Sequence, residues 1–192
     1  MKPSLRADSV ISFTTPSFRD FVSQLAELSG IKIKCLEDYL NAIDIRLNLF
    51  SDAGCEYADH SLDAGFRFVP VSSGEASSLF GKLLQTGEIS PAETVKLQSY
   101  VLLFMGRCYA RRNWNMQLHI GAKRDTNTQL RTRLGPAGGY AAIGSACDVN
   151  SLVCFLDTLN EEDSLPRTIL YTLNPADNAV FATPVSYTHL RA

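Results

Sequence analysis

Apolar residues recur along this chain at two spacings, one helical and one alternating. Phe18, Phe21, Val22, Leu25 and Leu28 mark one helical face. Thr15-Pro16 before them reads as a cap followed by proline at the first helical position, and Gly30 as the stop. Leu36, Leu40, Ile43, Leu47 and Phe50 repeat the pattern in a second helix that ends near Gly54. "CEYADH" (55–60) then predicts a strand. The clearest start signal is "SPAE" at 90–93, where Ser90 caps, Pro91 fits the first turn and Glu93 completes a capping box. Leu97, Val101, Phe104 and Cys108 carry that stripe forward. Arg107, Arg111 and Arg112 crowd its last turn, where positive charge meets the negative helix end. "WNMQLHI" follows with strict alternation: Trp114, Met116, Leu118 and Ile120 on one face, Asn115, Gln117 and His119 on the other. A further helix is expected over 148–160 with Asp148 as cap. "RTILYTLN" (167–174) is rich in β-formers and breaks at Asn174-Pro175.

Strands separated by helical segments imply βα units and a parallel sheet. Three of these strands end in polar side chains: Asp59-His60, His119 and Asn174. In barrel and open α/β folds alike the site lies at the carboxyl ends of the strands, so the pattern points several groups at one rim. A closed eight-stranded barrel needs roughly 250 residues. The expected class is therefore α/β with about four strands, either a small open sheet or a piece of a barrel.

Composition changes this picture little. The 192 residues are 45% hydrophobic and 20% charged, with a net charge of −2, which argues against a protein coated in nucleic acid. No apolar run is long enough to span a bilayer, and "MKPSLRADS" has no apolar signal region. Five scattered cysteines with no C-x-x-C pair suit free thiols in a reducing cytoplasm and argue against structural zinc.

The candidate chemistry centres on histidine and arginine. His60 or His119 alone would be read as a hydrogen-bonded structural residue. Two of them at the ends of consecutive strands put a functional role level with the structural one. Seven basic residues fall between Arg107 and Arg133, with Asp125 the only acid among them. Arg107, Arg111 and Arg112 belong to the helix end. Nucleic acid would call for interleaved aromatics, and the segment has only Trp114, which the strand pattern buries. Arg124, five residues beyond His119, suits bidentate capture of a small carboxylate; Arg131 and Arg133 are left open. "GPAGGYAAIG" (135–144) lacks the phosphate-loop spacings and is expected to be a mobile loop. Asp59 is placed to orient His60 or shuttle its protons, or simply to satisfy backbone groups at the strand end.

"MQLHIGAKRDTNTQLRTRLGPAGGYAAIG" resembles the uronate (glucuronate) isomerase family, in which a strand ends in "HIGA-x-R" followed by an Asn-rich loop and "LGP". "PSLRAD" (3–8) is similar to that family's "PSWRPD", "GCEYADHSLD" (54–63) to its "GC-x-x-x-DH-x-LD", and "LPRTILYTLNPADNAV" (165–180) to its "LPKTILY-x-LNP-x-DN-x-V". These segments occur in order across nearly the whole chain. The resemblance implies a distorted TIM-type (β/α) barrel of the amidohydrolase superfamily. It also implies interconversion of D-glucuronate with D-fructuronate and of D-galacturonate with D-tagaturonate. It implies that Arg6 and Arg124 contact the substrate carboxylate, that His119 contacts substrate oxygens near the reacting end, and that His60 lines the same pocket. Asp59 and Asn174 are possible supporting residues.

The departures are as informative. The family's H-x-H metal motif and its "TDSR"-type segment are missing, so no metal is expected within this chain, although the resemblance implies a divalent metal, zinc, in the complete enzyme. "AKRDTN" replaces "ALRNNN", adding Lys123 and Asp125. The expectation is an internal fragment: residues 1–184 as an incomplete barrel domain, inactive alone, acting on a small uronate with neither nucleic acid nor membrane as partner. The tail 185–192, "VSYTHLRA", does not continue the family pattern and is expected to be non-native, so His189 carries no weight. The rival readings are a hydrolase of the same superfamily and a small open-sheet binding module.

Overall fold

The computed structural model describes residues 2–63, 65–135, 138–146 and 148–183. In chain order they form β1 (Leu5–Arg6), a 3-10 turn (Asp8–Ile11), α1 (Phe18–Ser29), α2 (Leu36–Asp52), β2 (Tyr57–Leu62), α3 (Ser73–Thr86), α4 (Pro91–Arg111) and β3 (Asn115–Ile120). Then follow β4 (Ala122–Lys123), α5 (Thr128–Leu134), β5 (Ala142–Ile143), α6 (Val149–Glu161), β6 (Thr168–Thr172), a second 3-10 turn (Pro175–Asp177) and α7 (Asn178–Phe181).

The main sheet has four strands in the order β1-β2-β3-β6, and every pairing is parallel. Each new strand therefore adds beside the last, with no reversal of direction. Right-handed crossovers repeated in one direction lay every helix on the same face of the sheet. This is how a barrel wall is built; a doubly wound sheet reverses and is covered on both sides.

Burial follows that topology. Ala58, His60 and Leu62 of β2 and Met116, Leu118 and Ile120 of β3 are buried against the helices. The opposite face leaves Tyr57, Ile169 and Tyr171 exposed. The core between sheet and helices is closed by Tyr39, Phe80, Leu97, Leu102, Tyr109 and Phe155, all essentially inaccessible. Each such side chain contributes about 1.5–3 kcal/mol by leaving water. Tyr39 offsets the cost of its buried hydroxyl by donating to the Val10 carbonyl at 2.8 Å. Gly106 lets α4 and α6 approach closely, since a Cβ there would meet Leu159 Cδ1 at 2.7 Å. Arg107 reaches Glu162 with a forked pair at 2.6 and 2.7 Å, and Arg112 reaches Asp44 at 2.8 Å. The basic cluster at the end of α4, expected only to meet the negative helix end, also ties α4 to α2 and to the end of α6.

The capping box of α4 is present in full. α1 instead begins two residues later than Thr15-Pro16 implied, because the Thr15 hydroxyl donates to the Ser12 carbonyl and does not cap the helix. Asp148 stands at the start of α6, but its carboxylate accepts from Ser151 Oγ at 2.8 Å and makes no cap bond to the backbone. Among the described residues no helix is long and apolar enough to cross a membrane, and Cys35, Cys55, Cys108 and Cys154 are unpaired.

Candidate active site

The site is set by the period of two along β2 and β3. Asp59 and Ser61 project from β2 onto the helix-free face, and Gln117 and His119 project beside them from β3, with Asp59 opposite Gln117 and Ser61 opposite His119 in register. β6 adds Tyr171, opposite His119. β1 delivers Arg6 from the other side, its register partner being Asp59. Gly121, at φ +85, ends β3 in a conformation that suits glycine. It turns the chain into the short antiparallel β4–β5 pair, from which Arg124 returns over the strand ends.

His119 Nδ1 lies 2.5 Å from Asp59 Oδ1. A carboxylate only accepts, so Nδ1 carries the proton and Nε2 is the nitrogen presented outward. Tyr171 stacks on the imidazole, ring centroids 4.6 Å apart and planes 9° from parallel, while its hydroxyl bonds Gln117 Oε1 at 3.0 Å. The His119 ring is thus fixed in its plane by one neighbour and along its axis by another.

Arg6 donates through Nε to Asp8 at 2.8 Å and through Nη2 to Ser61 Oγ at 3.0 Å, and its Nη1 stands 3.7 Å from Asp59. Arg124 donates through Nε to both oxygens of Asp63 at 3.0 Å and through Nη2 to the same Ser61 Oγ at 2.9 Å. Burial by itself would raise the Asp8 pKa. The Ser61 backbone N–H and the Arg6 guanidinium outweigh it and hold the carboxyl below its ordinary value. The Arg6 and Arg124 side chains remain 61% and 43% exposed, open to a ligand. Beside Ser61, Asp63 and Arg124 lies a cleft of about 450 Å³ that also takes in Asp8, Arg67 and Gln98, within the roughly 300–1,000 Å³ range of small-molecule sites. A larger cleft of about 740 Å³, between Phe13–Arg19 and the end of α3, holds none of these groups.

Arg6, His119, Arg124 and Asp59 are therefore brought together. His60 and Asn174 are not. His60 points the other way, into the helix-side core: it is 0% exposed, and its Nε2 lies 2.7 Å from the Tyr109 hydroxyl. Burial drives its pKa down to about 4, against the pull of the Asp8 and Asp59 charges, so the ring is neutral at pH 7. The expectation that His60 lines the pocket is corrected by strand alternation. Consecutive residues of a strand face opposite sides, so Asp59 and His60 cannot share a site. The same rule, applied to "YADHSL", was the available signal. Asn174 caps the 3-10 turn after β6, its side chain accepting from the Ala176 N–H at 3.1 Å, which is a structural duty. Ser61 and Tyr171 were missed; only knowledge of which strands are neighbours reveals them. Arg131 pairs with Asp125 at 3.0 Å, away from the cluster. Among the described residues no three His, Cys, Asp or Glu side chains gather as a metal-binding group. With Asp59 and His119 bonded to each other, the residues present do not form a metal site by themselves.

A parallel sheet with strands in sequential order, helices on one face and charged groups at the carboxyl ends on the other defines a segment of a TIM-type (β/α) fold. The glucuronate isomerase family model matches residues 1–189, and the chain belongs to that family. The match runs into the 185–192 segment expected to be non-native, which lies outside the described residues. The uronate isomerase of Caldanaerobacter subterraneus subsp. tengcongensis is 40% identical over 183 residues, covering 95% of this chain and 39% of the relative. That of Clostridium perfringens is 38% identical over 185 residues, covering 96% and 40%. Among solved structures, the uronate isomerase from Thermotoga maritima superposes with a TM-score of 0.87 at 26% identity, over 95% of this chain and 40% of that one. The glucuronate isomerase from Caulobacter crescentus gives 0.80 at 27% identity, over 91% and 36%. The chain thus spans well under half the length of the relatives it matches.

Proposed function

We propose that this chain carries the carboxylate-binding part of a uronate isomerase site, in an enzyme that interconverts D-glucuronate with D-fructuronate and D-galacturonate with D-tagaturonate. The observation that carries this reading is the meeting of Arg6 and Arg124 at Ser61, beside the Asp59–His119 pair. Two guanidinium groups on a rim of parallel strand ends suit a substrate with a carboxylate at one end. An uncharged amide or ester substrate would have no use for them, which disfavours a hydrolase of such substrates.

Aldose–ketose isomerisation takes a proton from C2 and returns one to C1 through an enediolate. Arg6 and Arg124 anchor the remote carboxylate, converting binding at C6 into orientation at C1 and C2. His119 presents Nε2 to the sugar. Neutral, it accepts from a hydroxyl; protonated, it donates to the carbonyl oxygen where negative charge develops. Asp59 keeps Nδ1 as the inward donor. A divalent metal in the complete enzyme would supply further polarisation of the carbonyl, with ligands from outside this chain. Residues 1–184 are the barrel portion of that enzyme, and a metabolic enzyme with free thiols belongs in the cytoplasm.

Binding tests the reading directly. Replacing Arg124 with Met should weaken D-glucuronate binding by roughly tenfold or more, the loss of one charge-assisted contact. Equal affinity of the wild type and Arg124→Met in calorimetry would be the refuting result.

A further inference from the structure

We propose that Ser61 joins Arg6 and Arg124 into one carboxylate site and supplies that site's third donor. This rests on the uronate reading above and gives Ser61, there only the point where the two arginines meet, a binding role of its own.

A serine hydroxyl has two acceptor lone pairs and one proton to donate. Here Arg6 Nη2 at 3.0 Å and Arg124 Nη2 at 2.9 Å occupy the acceptor side. Among the described residues no acceptor for the Ser61 hydroxyl proton lies within hydrogen-bond reach. Two positive groups on one oxygen also leave that proton more acidic and a better donor to an anion. Two nitrogens sharing one oxygen at hydrogen-bond distance are at most roughly 6 Å apart, close enough for one carboxylate to bridge them. Among the described residues Ser61 Oγ is the atom that both guanidinium groups share, since Asp8 holds Arg6 and Asp63 holds Arg124 separately. The backbone fixes Ser61 in turn: its N–H donates to Asp8 Oδ1 at 2.7 Å, and β2 seats it opposite His119. The two guanidinium groups and the hydroxyl thus offer their remaining donors from one point on the rim, where the proposal puts the sugar acid's carboxylate.

The experiment follows the Arg6 and Arg124 side-chain Nε–H resonances of the isotopically labelled chain during titration with D-glucuronate, with D-glucose as the uncharged control. Glucuronate should move both signals with one shared Kd, and glucose neither. Ser61→Ala should raise that Kd by about tenfold or more, while Ser61→Thr, which keeps the hydroxyl, should stay within about threefold of the wild type. A structural role alone would give no such rescue. Both variants keep the backbone bond to Asp8, and their amide spectra report that they are folded. A Ser61→Ala chain that binds like the wild type overturns the role of Ser61 and leaves the uronate reading standing. A wild-type chain in which glucuronate moves neither arginine overturns both.

Discussion

His119 and His60 show how much one position along a strand decides. His119 lies on the open face, bonded to Asp59 and stacked on Tyr171. His60, on the helix face, is buried against Tyr109 with its Nδ1 unpartnered. That burial has a consequence for stability. The folded pKa of His60 is about 4, below the ordinary 6.5. The unfolded chain therefore binds the proton first as pH falls. The stabilising contribution is complete above pH 6.5 and is lost progressively down to about pH 4, to a total on the order of 3 kcal/mol. Urea unfolding of the wild type should weaken across that window, and His60→Gln should flatten the dependence. Parallel curves would show that some other group titrates. At this scale His119 and Arg124 were singled out by residue type at and just beyond a strand end, and Arg6 only through the family resemblance; the structure brings all three to one cluster. The sequence was misleading for His60, where residue type suggested chemistry and alternation dictated burial.

Elements were legible in proportion to how much of their own stabilisation is local. The α4 start signal is self-contained: Ser90 Oγ accepts from the Glu93 N–H, and Glu93 answers by accepting from the Ser90 N–H and from Lys82. Ser90→Ala should therefore cost about 1 kcal/mol, lowering Tm by roughly 2–4 °C in a thermal melt of the chain. A Tm unchanged within error would show that α4 is held by packing alone. α3 has its own cap, Ser72 accepting from Glu75 N–H, and buries Ala76, Leu79, Phe80 and Leu83, yet it was passed over because serine and glycine dilute the apolar pattern across "SSGEASS" (72–78). α5 is capped by Asn127 and buries nothing, so no hydrophobic period announces it. The hairpin of β4 and β5 is equally silent, each strand being two residues held by a partner some twenty positions away.

At the scale of the whole molecule, the helix-free face is the feature with consequences. Tyr57, Ile169, Tyr171 and Leu173 are exposed there, and β1 and β6 are the outer strands of the sheet. Open edges and exposed apolar surface favour association. Sedimentation of the chain should show concentration-dependent self-association, and an assay of residues 1–184 should show no conversion of glucuronate to fructuronate. Robust turnover would mean that these residues hold every essential group. A monodisperse monomer with one cooperative unfolding transition would favour a module complete in itself. Period, caps and residue type act within a few positions, so the parallel βα plan, the α4 capping box and the histidine at the end of β3 could be read along the chain. Contacts across the folded sheet settle that Asp59 and not His60 partners His119, that Tyr171 braces it, and that Ser61 joins two arginines more than a hundred residues apart. Those contacts depend on which strands become neighbours and in what register, and register is fixed by the packing of the whole sheet against its helices.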